Sequence, residues 1–161
     1  MAHDPPSSLA ARKTPIHQPV VELSNRPIIV FVTVCTAERK RILADRSATG
    51  TIVGAWSRAD SWKVGRYVIM PDHIHLFCSP GTRAVTLGRW VSFWKSCASR
   101  SWPRSEDRPI WQADYWDTQL RFGESYETKW EYVRSNPVRH GFANHPDDWP
   151  YQGELTVLRW D

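Results

Sequence analysis

The stretch YVIMPDHIHLFCSP places two histidines inside an apolar run, and it constrains the fold more than any other segment of the chain. Apolar and β-branched residues on both sides of Pro71 and Asp72 predict two strands joined by a tight turn. Successive residues of a strand point to opposite faces of a sheet, so His73 and His75 project from the same face. The sequence therefore predicts a pair of adjacent imidazoles on one side of a sheet.

The remaining segments predict the element order β-α-β-β-α-β-α. The predicted elements are a strand in PIIVFVTVC, a helix in SATGTIVGAWSRA, the hairpin strands WKVGRYVIM and HIHLFCS, a helix from about Val85 to Trp102, a strand in YWDTQLRF and a helix from Tyr126 to about Ser135. This order predicts an α+β fold, a ferredoxin-like or RRM-like antiparallel sheet with helices mainly on one face and the histidines on a central strand.

The length of 161 residues fits one domain with a substantial core. Residues 1–25 contain proline and serine without periodicity and are predicted to form a mostly disordered arm, leaving 26–161 as a single domain. No apolar run approaches the roughly 20 residues that span a bilayer, so no membrane association is expected. Three cysteines without a C-x-x-C pair favour a reducing cytoplasm. The net charge of +4 favours a polyanionic partner.

The histidine pair alone does not identify a metal site. Two imidazoles on one strand provide two metal ligands, but they are equally typical of hydrogen-bonded or surface histidines. A third histidine at the same spacing is missing because position 77 is phenylalanine. A third ligand, if there is one, must come from another segment.

The last helix contains a tyrosine that does not fit its buried side. The apolar stripe of this helix is predicted to consist of Tyr126, Trp130 and Val133. Tyr132 lies about 100° or more from that stripe, given about 3.6 residues per turn. Asn136, four residues on, is expected on the same side of the helix as Tyr132. The alternative is a half-buried tyrosine and an asparagine that caps the helix before Pro137.

Four segments together resemble the REP-associated tyrosine transposases, relatives of the single-strand transposases with an HUH (histidine, bulky apolar residue, histidine) motif. These segments are VIMPDHIHLF, FWKSCASR, IWQADYWDTQLR and YVRSNPVRHGF, in that order. The resemblance covers about residues 26 to 145. Its most specific parts are MPDHIHL and YVRSNPVRHG.

The resemblance implies a function and a set of site residues. It implies that His73, His75 and Asn136 bind a divalent metal, Mg²⁺ or Mn²⁺, and that Tyr132 is the nucleophile. It implies cleavage of single-stranded DNA beside the hairpin of a repetitive extragenic palindrome (REP), through a covalent 5′-phosphotyrosine. Relatives act as monomers or homodimers, and the resemblance implies a cytoplasmic, nucleoid-associated bacterial protein.

Basic and aromatic residues outside the metal site are candidates for DNA binding. Phosphate contacts by such residues are salt-sensitive and independent of sequence, and aromatic rings stack on unpaired bases. The expected DNA-binding residues are Arg83, Arg89, Lys95, Arg100, Trp116, Arg121, Arg134 and Arg139. For the residues of the middle helix, the alternative is an ordinary solvated helix face.

Two further functions remain compatible with the sequence. A regulator that binds hairpin DNA without cleaving it needs no covalent adduct. A metal hydrolase in which water is the nucleophile needs the histidines but not Tyr132.

Overall fold

The fold is built on one antiparallel sheet of five strands. The computed structural model describes residues 14–21 and 27–160. The strands are β1 (Val30–Cys35), β2 (Trp62–Ile69), β3 (His73–Pro80), β4 (Trp116–Gln119) and β5 (Gln152–Glu154). Their order across the sheet is β4-β1-β3-β2-β5. The predicted α+β fold is confirmed, and the histidines lie on the central strand.

Four helices connect and cover these strands. They are α1 (Arg46–Arg58), α2 (Leu87–Arg100), α3 (Tyr126–Arg134) and α4 (Asn136–Arg139). The side chains of Asp45, Thr86 and Ser125 cap α1, α2 and α3, because each accepts a hydrogen bond from a backbone N–H of the first helical turn. The predicted bounds of the three long helices therefore hold to within about two residues.

The two faces of the sheet have separate cores. Alternate residues of β1 and β3, such as Val32, Ile74 and Leu76, pack against α1 and α2. The residues between them face α3 and the C-terminal segment, where Phe77 packs near Val133 and Trp149. The two longest helices thus share one face, as predicted, and the shorter α3 lies on the other.

The residues of α2 that recur at helical spacing predict a buried stripe: Leu87, Trp90, Val91, Trp94, Cys97 and Ala98. The indole-rich core between the sheet and α2 confirms this stripe. Trp90 and Trp94 are completely buried, and the ring centroids of Trp94 and Trp56 are 5.7 Å apart in an edge-to-face arrangement. All of the predicted stripe residues of α2 are buried, whereas Arg89 and Arg100 are exposed. The outer side of α2 is consequently free to face solvent.

The C-terminal segment contains a strand that sequence reasoning missed. The tail with Trp149, Pro150 and Trp160 shows no periodic pattern and predicts irregular packing, but β5 pairs with β2 from Arg66 to Val68. The Trp149 indole N–H also donates to the Ile69 carbonyl, at 3.0 Å. A strand of three residues is too short to show an alternating pattern, so only its pairing identifies it.

Part of the N-terminal arm lies against the edge strand β4. His17 bonds through its two ring nitrogens to Asp117 at 2.5 Å and to Asp114 at 2.6 Å. The side-chain amide of Gln119 exchanges two hydrogen bonds of 2.9 Å with the backbone of Val21. Residues 1–13 and 22–25 of the predicted disordered arm lie outside the described residues.

The cysteines and the lengths of the helices can be compared with the expectations from the sequence. Cys35, Cys78 and Cys97 are all buried and unpaired. In the part of the chain that the structure describes, none of the helices has both the length and the apolar character needed to cross a bilayer.

We expect Leu76→Ala to destabilise the fold strongly. Leu76 is completely buried in the central strand, and truncation of such a side chain costs about 2–5 kcal/mol because lost burial adds to a cavity. Urea unfolding followed by circular dichroism measures this loss. Val157→Ala is the control, since Val157 is 77% exposed. A loss equal to that of the control would contradict the assigned core.

We expect the contact of the N-terminal segment with β4 to weaken as the pH rises. Partial burial opposes protonation of His17, but its hydrogen bonds to Asp117 and Asp114 outweigh burial and raise its pKa above the usual value. The stabilisation of this contact by His17 is therefore complete below about pH 6.5, and it is lost as the pH rises through the raised pKa of His17. An NMR titration of the His17 ring and the Val21 amide measures it.

The control for this titration is His17→Gln, in which the Val21 amide shift should no longer depend on pH. A His17 pKa at or below its ordinary value would contradict the assigned contacts.

Candidate active site

The two histidines form an adjacent pair on the sheet face that also carries α3. His73 and His75 have ring centroids 4.7 Å apart, with their planes 74° from parallel. His73 is buried and His75 is half-buried. The geometric prediction of side-by-side imidazoles is thus confirmed.

His73 is held by the carboxylate beside it in the chain. The Nδ1 atom of His73 lies 2.7 Å from Asp72 Oδ1, so this carboxylate accepts the Nδ1 proton and Nε2 is the ring nitrogen outside that bond. Burial opposes ionisation of Asp72, but hydrogen bonds from His73 and Arg39 hold its pKa well below the usual range. Asp72 therefore remains a carboxylate and fixes the orientation of the ring.

Arg39 approaches the same carboxylate from an unusual backbone conformation. Its Nε donates to Asp72 Oδ2 at 3.0 Å. Glu38 and Arg39 have φ angles of 56° and 55°, in the left-handed region that residues other than glycine seldom adopt. Consecutive left-handed residues carry a conformational cost and cluster at functional sites. This turn brings a guanidinium next to the histidine pair.

His75 is held by a hydroxyl from the neighbouring strand. Antiparallel pairing places Thr33 of β1 directly opposite His75, and Thr33 Oγ1 lies 2.8 Å from His75 Nδ1. Burial first, and then the nearby charges of His73 and Arg139, lower the pKa of His75 well below its usual value. His75 is therefore a neutral imidazole, the form that binds metals.

Tyr132 lies on α3 with its side chain exposed. Tyr126 and Val133 are the buried residues of this helix, whereas 58% of the surface of Tyr132 is accessible. The expectation that Tyr132 is not a core aromatic is confirmed. The guanidinium of Arg139 lies over the ring, 4.1 Å from its centroid, and also donates to the Tyr132 carbonyl at 2.6 Å. These contacts restrict the orientation of the phenol ring.

Asn136 does not share a helix with Tyr132, contrary to the sequence expectation. Helix α3 ends at Arg134, and Asn136 opens the separate helix α4, followed by Pro137. Proline favours the first turn of a helix because it has no N–H to donate there. Asn136 is buried whereas Tyr132 is exposed, so the two side chains have different surroundings.

The side-chain oxygen of Asn136 has no hydrogen-bond partner. Its Oδ1 is inaccessible to solvent and accepts no bond from any described residue. Buried polar atoms are nearly always bonded, so such an atom indicates a missing ligand. The end of α4 lies near the histidines, because the ring of His140 is 6.5 Å from that of His73.

These groups fit a divalent cation. Over residues 14–21 and 27–160, no cluster of three His, Cys, Asp or Glu side chains is suited to a metal, so an all-carboxylate or all-imidazole site is not formed there. The two Nε2 atoms and the Asn136 amide oxygen are the available donors. Two neutral nitrogens with one neutral oxygen leave coordination positions for an anionic substrate.

The expected DNA-binding residues divide between the two faces of the sheet. Trp116 pairs with Thr33 in the register of β4 and β1, so it lies on the face of the histidines, with Thr33 between it and His75. Arg139 lies on that side as well. Arg89, Lys95 and Arg100 belong to α2 on the opposite face, and Arg83 is exposed just before it. Lys95 is buried and donates to the Gln112 carbonyl at 2.8 Å.

The two remaining DNA-binding candidates lie just after the edge strand β4 and at the end of α3. Arg121 is exposed, and its backbone N–H donates to the Glu124 carboxylate at 2.8 Å. Arg134 forms ion pairs with Glu131 and Asp147.

Sequence reasoning missed three residues that orient the site: Thr33, Arg39 and Asp72. Asp72 offered a signal, since it immediately precedes His73 inside the most specific motif. Thr33 and Arg39 offered none, because strand register and a left-handed turn bring them to the histidines from about 40 residues away along the chain.

We expect Thr33→Val to weaken divalent-metal binding while leaving the fold intact. Valine keeps the shape of the side chain but removes the hydroxyl that fixes His75, and loss of such a partner typically costs about 10- to 100-fold in metal affinity. Titration with Mn²⁺ followed by electron paramagnetic resonance measures this. Thr33→Ser, which retains the hydroxyl, should restore the affinity. Equal affinity in the valine and serine variants would exclude the assigned role.

Comparisons with known proteins find relatives of the chain by sequence. No protein-family model matches the sequence. The REP-associated tyrosine transposase of Escherichia coli K12 is 25% identical over 95 residues, which are 56% of this chain and 53% of that protein. A candidate REP-associated tyrosine transposase of Haemophilus influenzae is 27% identical over 94 residues, 52% of this chain and 53% of that protein. The chain thus spans about half the length of the curated relatives it matches.

A solved structure extends the likeness to the fold. A REP-associated tyrosine transposase bound to a REP hairpin superimposes with a TM-score of 0.66 at 18% identity, covering 84% of this chain and 82% of that one. At this identity the superposition establishes the shared fold. The chain is thus similar in sequence to REP-associated tyrosine transposases over about half of its length, and it shares the fold of one of them.

Proposed function

We propose that the chain is a metal-dependent single-stranded DNA endonuclease and strand-transferase. It cleaves beside palindromic-repeat hairpins through a covalent 5′-phosphotyrosine on Tyr132. Similarity to a transposase by itself indicates an enzyme. The proposal adds a specific reaction and the residues that perform it.

One observation carries the proposal. On a single sheet face, two histidines have their Nδ1 atoms engaged by Asp72 and Thr33, and a buried Asn136 oxygen lacks a partner. Hydrogen-bonded core histidines alone would not explain the unsatisfied oxygen of Asn136, which opens the short helix that ends beside His73. A bound cation held by these three side chains would explain it.

The exposed phenol of Tyr132 supplies the nucleophile. Its oxygen attacks the phosphorus of the scissile phosphodiester, forming a Tyr132 O–P bond while the bond from phosphorus to the 3′-oxygen breaks. The phenol loses its proton to solvent, and the departing 3′-oxygen gains one. The downstream strand is left linked by its 5′-phosphate, and a 3′-hydroxyl from another end can reverse the step. Because the phosphotyrosine keeps the phosphodiester bond energy, joining requires no ATP.

The cation-binding residues prepare the place of reaction. When bound, Mg²⁺ or Mn²⁺ polarises the phosphate and stabilises the charge that gathers on its oxygens. Asp72 and Thr33 hold the Nδ1 atoms of the two imidazoles and so fix the orientation of both rings. The Arg39 guanidinium adds positive charge beside them.

Neighbouring residues on the same face suit an unpaired strand. Trp116 provides a half-buried indole on the far side of Thr33 from His75. Phe31 stacks on the His75 ring with centroids 5.3 Å apart. Aromatic rings of this kind stack on bases without reading sequence. Arg139 adds a guanidinium next to Tyr132, and Arg121 and Arg134 contribute further charge along the same part of the chain.

The hairpin partner is proposed by analogy. The structurally similar transposase is bound to a REP hairpin, and we infer the same class of partner here, with the protein acting in the cytoplasm at the nucleoid. One Tyr132 per chain cleaves one strand at a time, so complete transfer uses either a homodimer or one monomer twice.

We expect a denaturation-resistant protein–DNA adduct when the protein meets a hairpin strand in the presence of Mn²⁺. With strands labelled at either the 5′ or the 3′ end, only the 3′-labelled downstream fragment should remain attached on a denaturing gel. Tyr132→Phe should abolish the adduct because it removes the nucleophilic oxygen, whereas Tyr151→Phe is the matched control and should not. His73→Ala should reduce cleavage far more than binding.

The rival functions give different results in this assay. Binding without any adduct in the wild-type protein would favour a non-catalytic regulator. Cleavage that survives Tyr132→Phe would favour a hydrolase with water as the nucleophile.

A further inference from the structure

A shallow groove runs along the outer side of α2, on the sheet face opposite the histidines. One half, of about 490 Å³, is lined by residues from Gly88 to Arg100, and the other, of about 680 Å³, extends to Trp111 and Gln112. Ser92, Ser96 and Arg100 line both halves, so the two are continuous. We call this feature the α2 groove, and its main residues are Arg89, Ser92, Phe93, Lys95, Ser96 and Arg100.

The α2 groove is positively charged without compensation from its own segment. No aspartate or glutamate occurs between Asp72 and Glu106. Arg89 and Arg100 are exposed on one side of α2, three turns or about 16 Å apart at a rise of about 1.5 Å per residue. Two guanidinium groups at this separation suit an extended polyanion better than a single small anion.

Lys95 adds a buried ammonium to the wall of the groove. Only 8% of its surface is exposed, and its Nζ bonds to one acceptor, the Gln112 carbonyl. An ammonium has three N–H donors, and burial of an incompletely bonded charge is costly. An anionic group in the groove would satisfy the remaining donors.

Phe93 distinguishes between the possible anions. It is 50% exposed and lies on the same helical stripe as Arg89 and Arg100, between them. An acidic protein segment gains little from an exposed phenyl ring, whereas an unpaired base stacks on it. The serine hydroxyls along the stripe provide further donors to phosphate oxygens.

We propose that the α2 groove binds a single-stranded nucleic-acid segment, as a second contact separate from the cleavage site. This inference rests on the proposed function, since the strand is part of the same substrate. Because the sheet separates the groove from His73 and His75, a strand that occupies both passes around an edge of the sheet. The enzyme then holds unpaired nucleotides outside the cleaved junction.

Fluorescence anisotropy with labelled oligothymidylate tests the groove without relying on cleavage. All proteins carry Tyr132→Phe, so no covalent adduct contributes. Removing both charges in Arg89→Ala/Arg100→Ala should lower the dependence of log affinity on log salt by about 1.4, since each phosphate contact on a single strand contributes about 0.7. Arg46→Ala/Arg58→Ala, which removes two exposed charges from α1, is the matched control and should change the slope little.

Phe93 provides the second arm of the test. Phe93→Leu should weaken binding roughly tenfold because it removes a stacking surface, whereas Phe93→Tyr should retain wild-type affinity. Unchanged affinity in Phe93→Leu, or an equal loss of slope in both arginine pairs, overturns the proposal. A competing result with poly-L-glutamate also overturns it. If this polymer binds as tightly as the oligonucleotide and is equally sensitive to the Arg89 and Arg100 changes, the groove is a site for an acidic protein segment.

The outcome is independent of the adduct assay. If the wild-type protein forms an adduct but the groove variants bind oligothymidylate normally, the groove proposal alone fails. If the groove variants lose affinity but no adduct forms, the proposed catalytic function alone fails.

Discussion

The antiparallel pairing of β1 with β3 is the constraint on which the rest of the site depends. Its register sets Thr33 opposite His75 and Cys35 opposite His73. A shift by one residue would turn both imidazoles into the tryptophan core and expose Ile74 and Leu76. Because Ile74 and Leu76 are completely buried, the hydrophobic energy that stabilises the sheet also enforces the orientation of the histidines.

The two faces of the sheet have different roles. The face under α1 and α2 is filled by large rings, with Trp94 in edge-to-face contact with Trp56, Trp90 and Trp111. Such packing is rigid, since interiors of this kind are close-packed. The other face carries the histidines, Asn136 and several half-buried aromatic residues, so polar chemistry is confined to one side of a stiff support.

Much of this arrangement could be predicted from sequence, because the signals involved are periodic and local. The alternation of residues around His73 and His75 predicts that both side chains lie on one face of the sheet. The helical spacing of Tyr126 and Val133 predicts that Tyr132 lies away from the buried side of its helix. The sequence could not reveal residues that reach the histidines only through the tertiary fold. Thr33 depends on strand register and Arg39 on a left-handed turn. Pro137 predicts the end of the tyrosine helix, but not that Asn136 opens a further helix beyond it.

The modest attachment of α3 has a consequence for the mobility of Tyr132. Only Tyr126 and Val133 of this helix are buried, each worth about 1.5–3 kcal/mol, against about 5–15 kcal/mol for unfolding a whole domain. Local opening of α3 therefore costs less than unfolding of the central strand β3. Such opening would move the Tyr132 phenol while His73 and His75 keep their places on β3.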